Sequence, residues 1–427
     1  MTTSGSPLAE PSPDGRRRRG ALAILAAIFF LWGFVTVLND VLVPHLKAVF
    51  ELNYTQSLLV QFVFFSSYFL LALPAARLIE WVGYRRAIAT GLAATGCGAL
   101  LFLPAATHLS YPLFLGALFV LACGITTLQV AANPYVTVIG PRETASSRLN
   151  LVQAFNSLGT AVAPAFGSLL ILAQSASGTA LGEGALSQAQ RLADAQTVRL
   201  PYAGIALVLF ALALVIALWP LPQPAPQNQP RSHSGDSLWR HRRLLLGIGA
   251  IFLYVGAENC VGSFLINYLS LPSVGAMSHA EAAFYVSLFW GGAMFGRLLG
   301  AALMRRLQPA LLLAAAAVGA ALLIMVSINV RGYFALWTIV LVGLMNSIMF
   351  PTIFSLAISD LGHLTQRGSG LLIMAIVGGA LLPMAQALLA DRHGLRGALL
   401  VPVLCYLYIL YFGGYCYEKS TETAPLS

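Results

Sequence analysis

The sequence predicts an all-α integral membrane protein: twelve transmembrane helices in two pseudo-symmetric six-helix halves, with both termini cytoplasmic. Three observations carry that reading. Of 427 residues, 58% are hydrophobic and only 9% are charged, and the mean hydropathy is +0.79, a balance outside the range of soluble globular domains. Apolar runs of about twenty residues, long enough to cross a bilayer, begin near residues 21, 53, 84, 110, 145, 200, 242, 280, 308, 333, 366 and 395. The second half of the chain also repeats the first.

Residues 1–20 read as a cytoplasmic N-terminal tail. The stretch GRRRRGALAILAAIFFL has the basic-then-apolar order of a secretion signal, but no small-x-small cleavage site follows, so an uncleaved first helix is expected. Residues 21–220 hold the first six spans. In the first of them, WGFVTVLNDVLVPHLK places an acid, Asp40, about twenty residues into an apolar helix. A carboxylate at membrane depth is costly unless it has work to do. Asn39 adjoins it, and Thr36 and Trp32 lie one and two turns earlier on the same flank, which should therefore face a water-filled cavity. The nearest basic residue in sequence is Lys47, two turns outward, and an acid without a cation partner is suited to taking up a proton near neutral pH.

The fourth and fifth spans carry amides on single faces. Gln129 and Asn133 are spaced i, i+4, and Gln153, Asn156 and Thr160 are spaced i, i+3, i+7. In lipid such faces would be expensive, so they are expected to converge on a shared cavity; the alternative for any one amide is a hydrogen bond to a neighbouring helix. Gln61, Phe65 and Tyr68 of the second span and Tyr285 and Trp290 of the eighth are further candidates, although aromatics in membrane helices more often pack or anchor. Residues 221–241, rich in Pro and Gln, read as a cytoplasmic linker, and 174–199 is the other long polar loop. Residues 242–418 hold the second six spans, and 419–427 form a C-terminal tail.

The repeat emerges when the chain is slid along itself by 217 to 220 residues. Asp40 then meets Glu258, Arg77 meets Arg297, Arg85 and Arg86 meet Arg305 and Arg306, and Gln129 meets Asn346. Pro134 meets Pro351, Glu143 meets Asp360, and Pro164 meets Pro383. Six helices duplicated in parallel are an architecture of transporters that rock two bundles about a central site. With the N-terminus cytoplasmic, eighteen of the 24 Lys and Arg residues fall at cytoplasmic ends, which sets the orientation. The formal charge of +9 is thus a topology signal, spread singly or in short clusters, and not a nucleic-acid surface. The five cysteines have neither metal-like nor framework spacing and read as packing residues.

The stretches FLWGFVTVLNDVLVPHLKAVFELNYTQ, LQVAANPYVTVIGP, SSRLNLVQAFNSLG, NSIMFPTIFSLAISDLG and GSGLLIMAIVGGALLP cover both halves. In them the chain resembles the fucose/glucose/galactose permease branch of the major facilitator superfamily, above all its bacterial glucose/galactose transporters. The resemblance implies cation-driven uptake of a hexose across the bacterial inner membrane. It also implies a proton site at Asp40, an aromatic cavity wall at Trp32, and sugar contacts from Gln153 and Asn156. Fucose permeases have a second acid where this chain has Gln129, so that amide is expected to bind sugar and not a proton.

Sugar hydroxyls call for amides and carboxylates, and the C–H faces of the ring call for aromatic cover. The expected sugar contacts are therefore Trp32, Asn39, Gln129, Asn133, Gln153, Asn156, Glu258 and Asn346, with Asp40 and Glu258 as the proton-coupling pair. Glu258 has four open readings: a protonated structural carboxyl hydrogen-bonded between helices, a sugar acceptor, a second titrating group or part of a sodium site. Arg77 with Glu143, and Arg297 with Asp360, are expected as ion pairs that close the cytoplasmic side. ARLIEWVGYRR resembles the superfamily's loop between helices 2 and 3, with Glu80, Gly83 and Arg85 in place; LGAALMRR is a worn copy with Met304 where an acid is usual.

No HExxH, GxSxG or phosphate-binding Gly loop is present, so no enzyme, cofactor or metal is expected. The expected partners are a small sugar, a co-transported proton or sodium ion and the lipid bilayer, with the protein a monomer. N-acetylglucosamine and fucose are the alternative sugars, and a sugar sensor that no longer transports is the alternative class.

Overall fold

The computed structural model describes residues 13–50, 54–170, 196–219, 222 and 237–422. The side chains of Asn39 and Asp40, most of the 221–241 linker, much of the 174–199 loop and parts of both tails lie outside the described residues.

The described chain is helical throughout, apart from short turns. The helices are α1 (Pro13–Phe50), α2 (Tyr54–Thr107), α3 (Tyr111–Val138), α4 (Ala145–Leu170) and α5 (Arg199–Leu218). After residue 237 come α6 (Arg242–Leu269), α7 (His279–Leu303), α8 (Pro309–Asn329), α9 (Tyr333–Asn346) and α10 (Met349–Ala357). The last are α11 (Thr365–Met374), α12 (Gly378–Ala398) and α13 (Leu400–Glu422). Starts follow local chemistry. Ser110 caps α3 ahead of a first-turn Pro, and Ser278 with Glu281 forms a reciprocal capping box on α7.

Among the described residues, ten helical segments are long and apolar enough to cross a membrane. The sequence suggested twelve, and the difference has two causes. Residues 54–107, expected as two spans, run as one helix bent at Gly83, whose φ of 78° is open to glycine and strained for other residues. Helix α4 carries Ser146, Ser147, Arg148, Asn150, Gln153, Asn156 and Ser157 in its first half, which makes it too polar to qualify by hydropathy. The expected start at 395 coincides with a second such bend, at Gly394 with φ 76°. The expected span from 333 is broken between α9 and α10, and the one from 366 between α11 and α12.

α1 packs on α4, and α2 packs on α3 and α5; α6 packs on α12 and α13, and α8 on α13. The two sets meet where α4 touches α7 and α10 and where α11 touches α2 and α3. Two glycines seat the first helix of each set. A Cβ on Gly159 of α4 would stand 2.1 Å from the Phe30 carbonyl oxygen of α1, and one on Gly378 would stand 2.1 Å from that of Phe252 on α6. The two glycines are 219 residues apart, the repeat's own offset. Such close backbone approach replaces hydrophobic driving force between helices in lipid.

Gly159→Ala and Gly378→Ala are each expected to destabilise the fold by about 1–3 kcal/mol through overpacking. Gly204→Ala, whose Cβ meets nothing within 4 Å, should change stability by less than about 0.5 kcal/mol. Thermal unfolding in detergent, read by size-exclusion fluorescence, checks the contrast.

Candidate functional site

The amides singled out by helical spacing are buried: Gln129, Asn133, Gln153, Asn156 and Asn346 are all at most 9% exposed. Without water their polar atoms need protein partners, and most have them. Gln129 Nε2 donates to the Tyr68 hydroxyl at 2.7 Å. Gln153 Nε2 donates to Asn133 Oδ1 at 3.3 Å, which joins the α3 and α4 faces. Asn156 Nδ2 donates to the Phe29 carbonyl at 3.0 Å, tying α4 to α1. Convergence therefore holds for Asn133 with Gln153, whereas Asn156 makes the plain helix-to-helix bond that was its alternative. Two donors remain: Asn133 Nδ2 and Asn346 Nδ2 are buried without a protein partner.

Of the expected aromatics, Tyr68 reaches one of these amides. Trp32 is half-buried and rests on Phe29, with ring centroids 5.1 Å apart. Thr36, on the same flank, returns its hydroxyl to the Trp32 carbonyl at 2.9 Å. Phe64, Phe65 and Tyr68 form one aromatic group on α2, with Tyr68 presenting its hydroxyl to Gln129. Tyr285 packs edge-on against Trp337 at 5.8 Å, and Trp290 packs on Phe289 at 5.2 Å.

On the other side lies Glu258, partly buried, with Oε1 accepting from the Tyr254 hydroxyl at 2.8 Å. The Asn346 carbonyl is 3.1 Å from the same hydroxyl. Asn346 Oδ1 accepts from Tyr406 at 2.7 Å. Helix α7 contributes Arg297, which donates to the Ser347 carbonyl at 3.1 Å, to the Gln153 carbonyl at 3.3 Å, and to the Ser157 hydroxyl. Arg297 thus bridges the two sets of helices beside the Gln153–Asn133 pair. Spacing analysis treated it as a gate charge and missed Ser157 and Tyr406, which no periodic pattern distinguishes from packing residues.

The expected ion pairs are corrected. Among the described residues no ion pair joins Arg77 to Glu143, and Arg297 is occupied by carbonyls and a hydroxyl, not by Asp360. Asp360 pairs instead with Arg142 at 2.8 Å and with Arg243 at 3.3 Å. Arg367 grips Glu80 through two bonds, 2.7 and 3.2 Å. Asp360 occupies left-handed backbone, φ 68°, a conformation that Asp tolerates better than most residues; its carboxylate meets one arginine from the turn ahead of α4 and one from the start of α6. Helical spacing cannot foresee that exchange of partners. The signal available was proximity in sequence, since Arg142 adjoins the expected Glu143.

Exposed pairs of this kind contribute about 0–1 kcal/mol each, and the Arg142 and Asp360 side chains are 61% and 63% exposed. Buried bonds hold the same end of the bundle. Ser146 meets Ser355 at 2.7 Å, Ser147 donates to the Ala301 carbonyl at 2.6 Å, Asn150 reaches Thr352 at 3.3 Å, and Ser369 donates to the Val130 carbonyl at 3.0 Å. That end of the contact between the two sets is closed.

Comparison with known proteins follows the same lines. The model of the Major Facilitator Superfamily matches residues 21–383. A glucose/galactose transporter of Brucella abortus is 48% identical over 417 residues, covering 97% of this chain and 98% of the relative. An L-fucose-proton symporter of Escherichia coli is 35% identical, with 94% of each chain covered. A crystal structure of the transporter FucP in the outward conformation superposes with a TM-score of 0.85 at 35% identity, over 94% of this chain and 99% of that one. The chain belongs to the Major Facilitator Superfamily and is a multi-pass membrane transporter of that family, not an enzyme.

Proposed function

We propose that the protein imports a hexose such as glucose or galactose together with a proton, by alternating access across the bacterial inner membrane. The observation that carries this reading is the buried Gln153–Asn133 pair with its unused Asn133 donor, set between helices that also present Gln129, Tyr68 and Trp32. Amides with spare donors beside aromatic rings are what a sugar hydroxyl and a sugar face require. The names of the relatives point to the same substrate class. Twelve crossings follow when α2 is counted as two rods about Gly83 and α4 as a crossing. The two six-helix halves are then residues 21–220 and 242–418, and the positive charges place both termini in the cytoplasm.

In this reading the closed end is cytoplasmic, and the site opens toward the periplasm. Asp40 takes up a proton there, sugar binds the neutral form, and the halves rock so that both leave inside. Each charge carried inward across ~100 mV adds about 2.3 kcal/mol of driving force. The pairs between halves, Arg142 with Asp360 and Arg367 with Glu80, break and re-form as the cytoplasmic side opens and closes. Because each such pair is weak, a gate built from them stays reversible.

Four outcomes test the reading. Counterflow in proteoliposomes with glucose, galactose, fucose and N-acetylglucosamine, with and without a sodium gradient, should favour the first two and be indifferent to sodium. Asp40→Asn should keep counterflow yet lose accumulation against a gradient; retained accumulation would remove Asp40 from coupling. Gln153→Ala leaves a buried Asn133 oxygen unpaired, which should cost about 1–3 kcal/mol of stability, and removes a sugar contact worth about 1.4 kcal/mol, so half-saturation should rise roughly tenfold. Joint neutralisation, Glu80→Gln with Asp360→Asn, should raise cytoplasmic labelling of single cysteines by up to about thirtyfold, the limit for two exposed pairs of about 1 kcal/mol each.

A further inference from the structure

Tyr254 has one hydroxyl proton and two acceptors. Glu258 Oε1, one turn along the same helix, is 2.8 Å away, and the Asn346 carbonyl of α9 is 3.1 Å away. An ionised carboxylate is the stronger acceptor and takes the proton, which keeps the bond within α6. A protonated Glu258 reverses the direction. It donates to the Tyr254 oxygen, and Tyr254 then donates to Asn346. The charge state of Glu258 decides whether this hydroxyl bonds its own helix or the next.

The carbonyl concerned lies at a helix break. Helix α9 stops at Asn346, and Ser347 and Ile348 separate it from α10. Carbonyls at a helix end lack partners from their own helix. Here Leu344 is served by Ser347 Oγ at 2.6 Å, Asn346 by Tyr254, and Ser347 by Arg297 Nε at 3.1 Å. The same Arg297 holds the Gln153 carbonyl and the Ser157 hydroxyl of α4. One peptide unit therefore separates the carbonyl that responds to Glu258 from the carbonyl that seats the bridge between halves.

We propose that Glu258 and Tyr254 form a proton-operated switch on that bridge: a proton on Glu258 turns the Tyr254 hydroxyl onto Asn346, steadies the α9–α10 break and strengthens the hold of Arg297 on α4. Glu258 is only partly buried, so it exchanges this proton with solvent; no heavy-atom bond changes. Among the described residues, the charged and titratable groups that bear on Glu258 are Arg297 of α7, Tyr406 of α13 and Tyr254 of its own helix, with Cys260 and Cys405 beside Tyr406. Tyr254 is completely buried and acts by positioning, not by contact with substrate. The inference rests on the transporter reading and adds to it a second proton-sensitive point, distinct from Asp40.

Spin labels at Pro141→Cys and His363→Cys, both exposed at the closed end, report the separation of the halves in a background lacking Cys97 and Cys123. In otherwise unaltered protein, the long-distance fraction should rise about threefold from pH 6 to pH 8, within the tenfold per pH unit that one proton permits. Tyr254→Phe should abolish the rise. Glu258→Gln, whose amide donates as the protonated acid does, should hold the short distance at both pH values, and adding Tyr254→Phe should release it. If Glu258→Gln does not fold, Ser157→Ala serves instead: one Arg297 acceptor is gone, so the long fraction should rise at both pH values with its pH ratio kept. A protein without pH response, a full response surviving Tyr254→Phe, long distances in Glu258→Gln, or no change in Ser157→Ala would overturn the switch. A response surviving Tyr254→Phe would assign it to another acid such as Asp40. The measurement needs no sugar, so its failure and a failure of the transport reading are told apart by counterflow.

Discussion

Inside the hydrocarbon region a polar group has no water to turn to, and nearly every functional feature of this bundle follows from that shortage. The amides of α3 and α4 find each other, a tyrosine or a carbonyl. The broken helix at Ser347 and Ile348 persists because a serine, a tyrosine and an arginine take its carbonyls. Arg148 does the same service at the end of α3, donating to the carbonyls of Val136, Thr137 and Pro141. Irregular backbone at this depth is tolerated only where protein or a cavity surrounds it, and here protein does, with Ser347 and Ile348 both buried.

The same constraint explains a division of labour at the closed end. Exposed ion pairs there are cheap to break, since water replaces what is lost. Arg142 with Asp360 and Arg367 with Glu80 set which surfaces face each other more than how tightly they hold. The serine, asparagine and arginine bonds further in are shielded and cost more to leave unmade. Arg297 reaches across from α7, its planar fork addressing two acceptors on α4 and one at the α9–α10 break. A lysine there would supply the charge without the fixed fork.

Small residues supply what hydrophobicity cannot. Between helices already surrounded by lipid, burial of one more leucine gains little, and close packing of backbones takes over. Gly159 and Gly378, one repeat apart, each let a backbone carbonyl of the first helix in their set approach closely. The symmetry read from charges and prolines is thereby matched in packing, at positions where a single methyl group would intrude.

What the sequence by itself determined is the class of molecule. Long apolar runs, sparse charges and an offset near 219 residues dictate a duplicated helical bundle, because hydropathy and the length of a bilayer are local properties. Helical spacing also identified Gln129, Asn133, Gln153 and Asn156, since i, i+3 and i+4 neighbours share a face whatever the tertiary fold. Tertiary structure alone decided who meets whom. Asn156 turned to a carbonyl of α1, Asp360 took Arg142 and Arg243 in place of Arg297, and Arg297 joined the two sets of helices instead. Partners more than a hundred residues apart are chosen by helix rotation and by a backbone bend such as the one at Asp360, and neither has a period that a sequence can display.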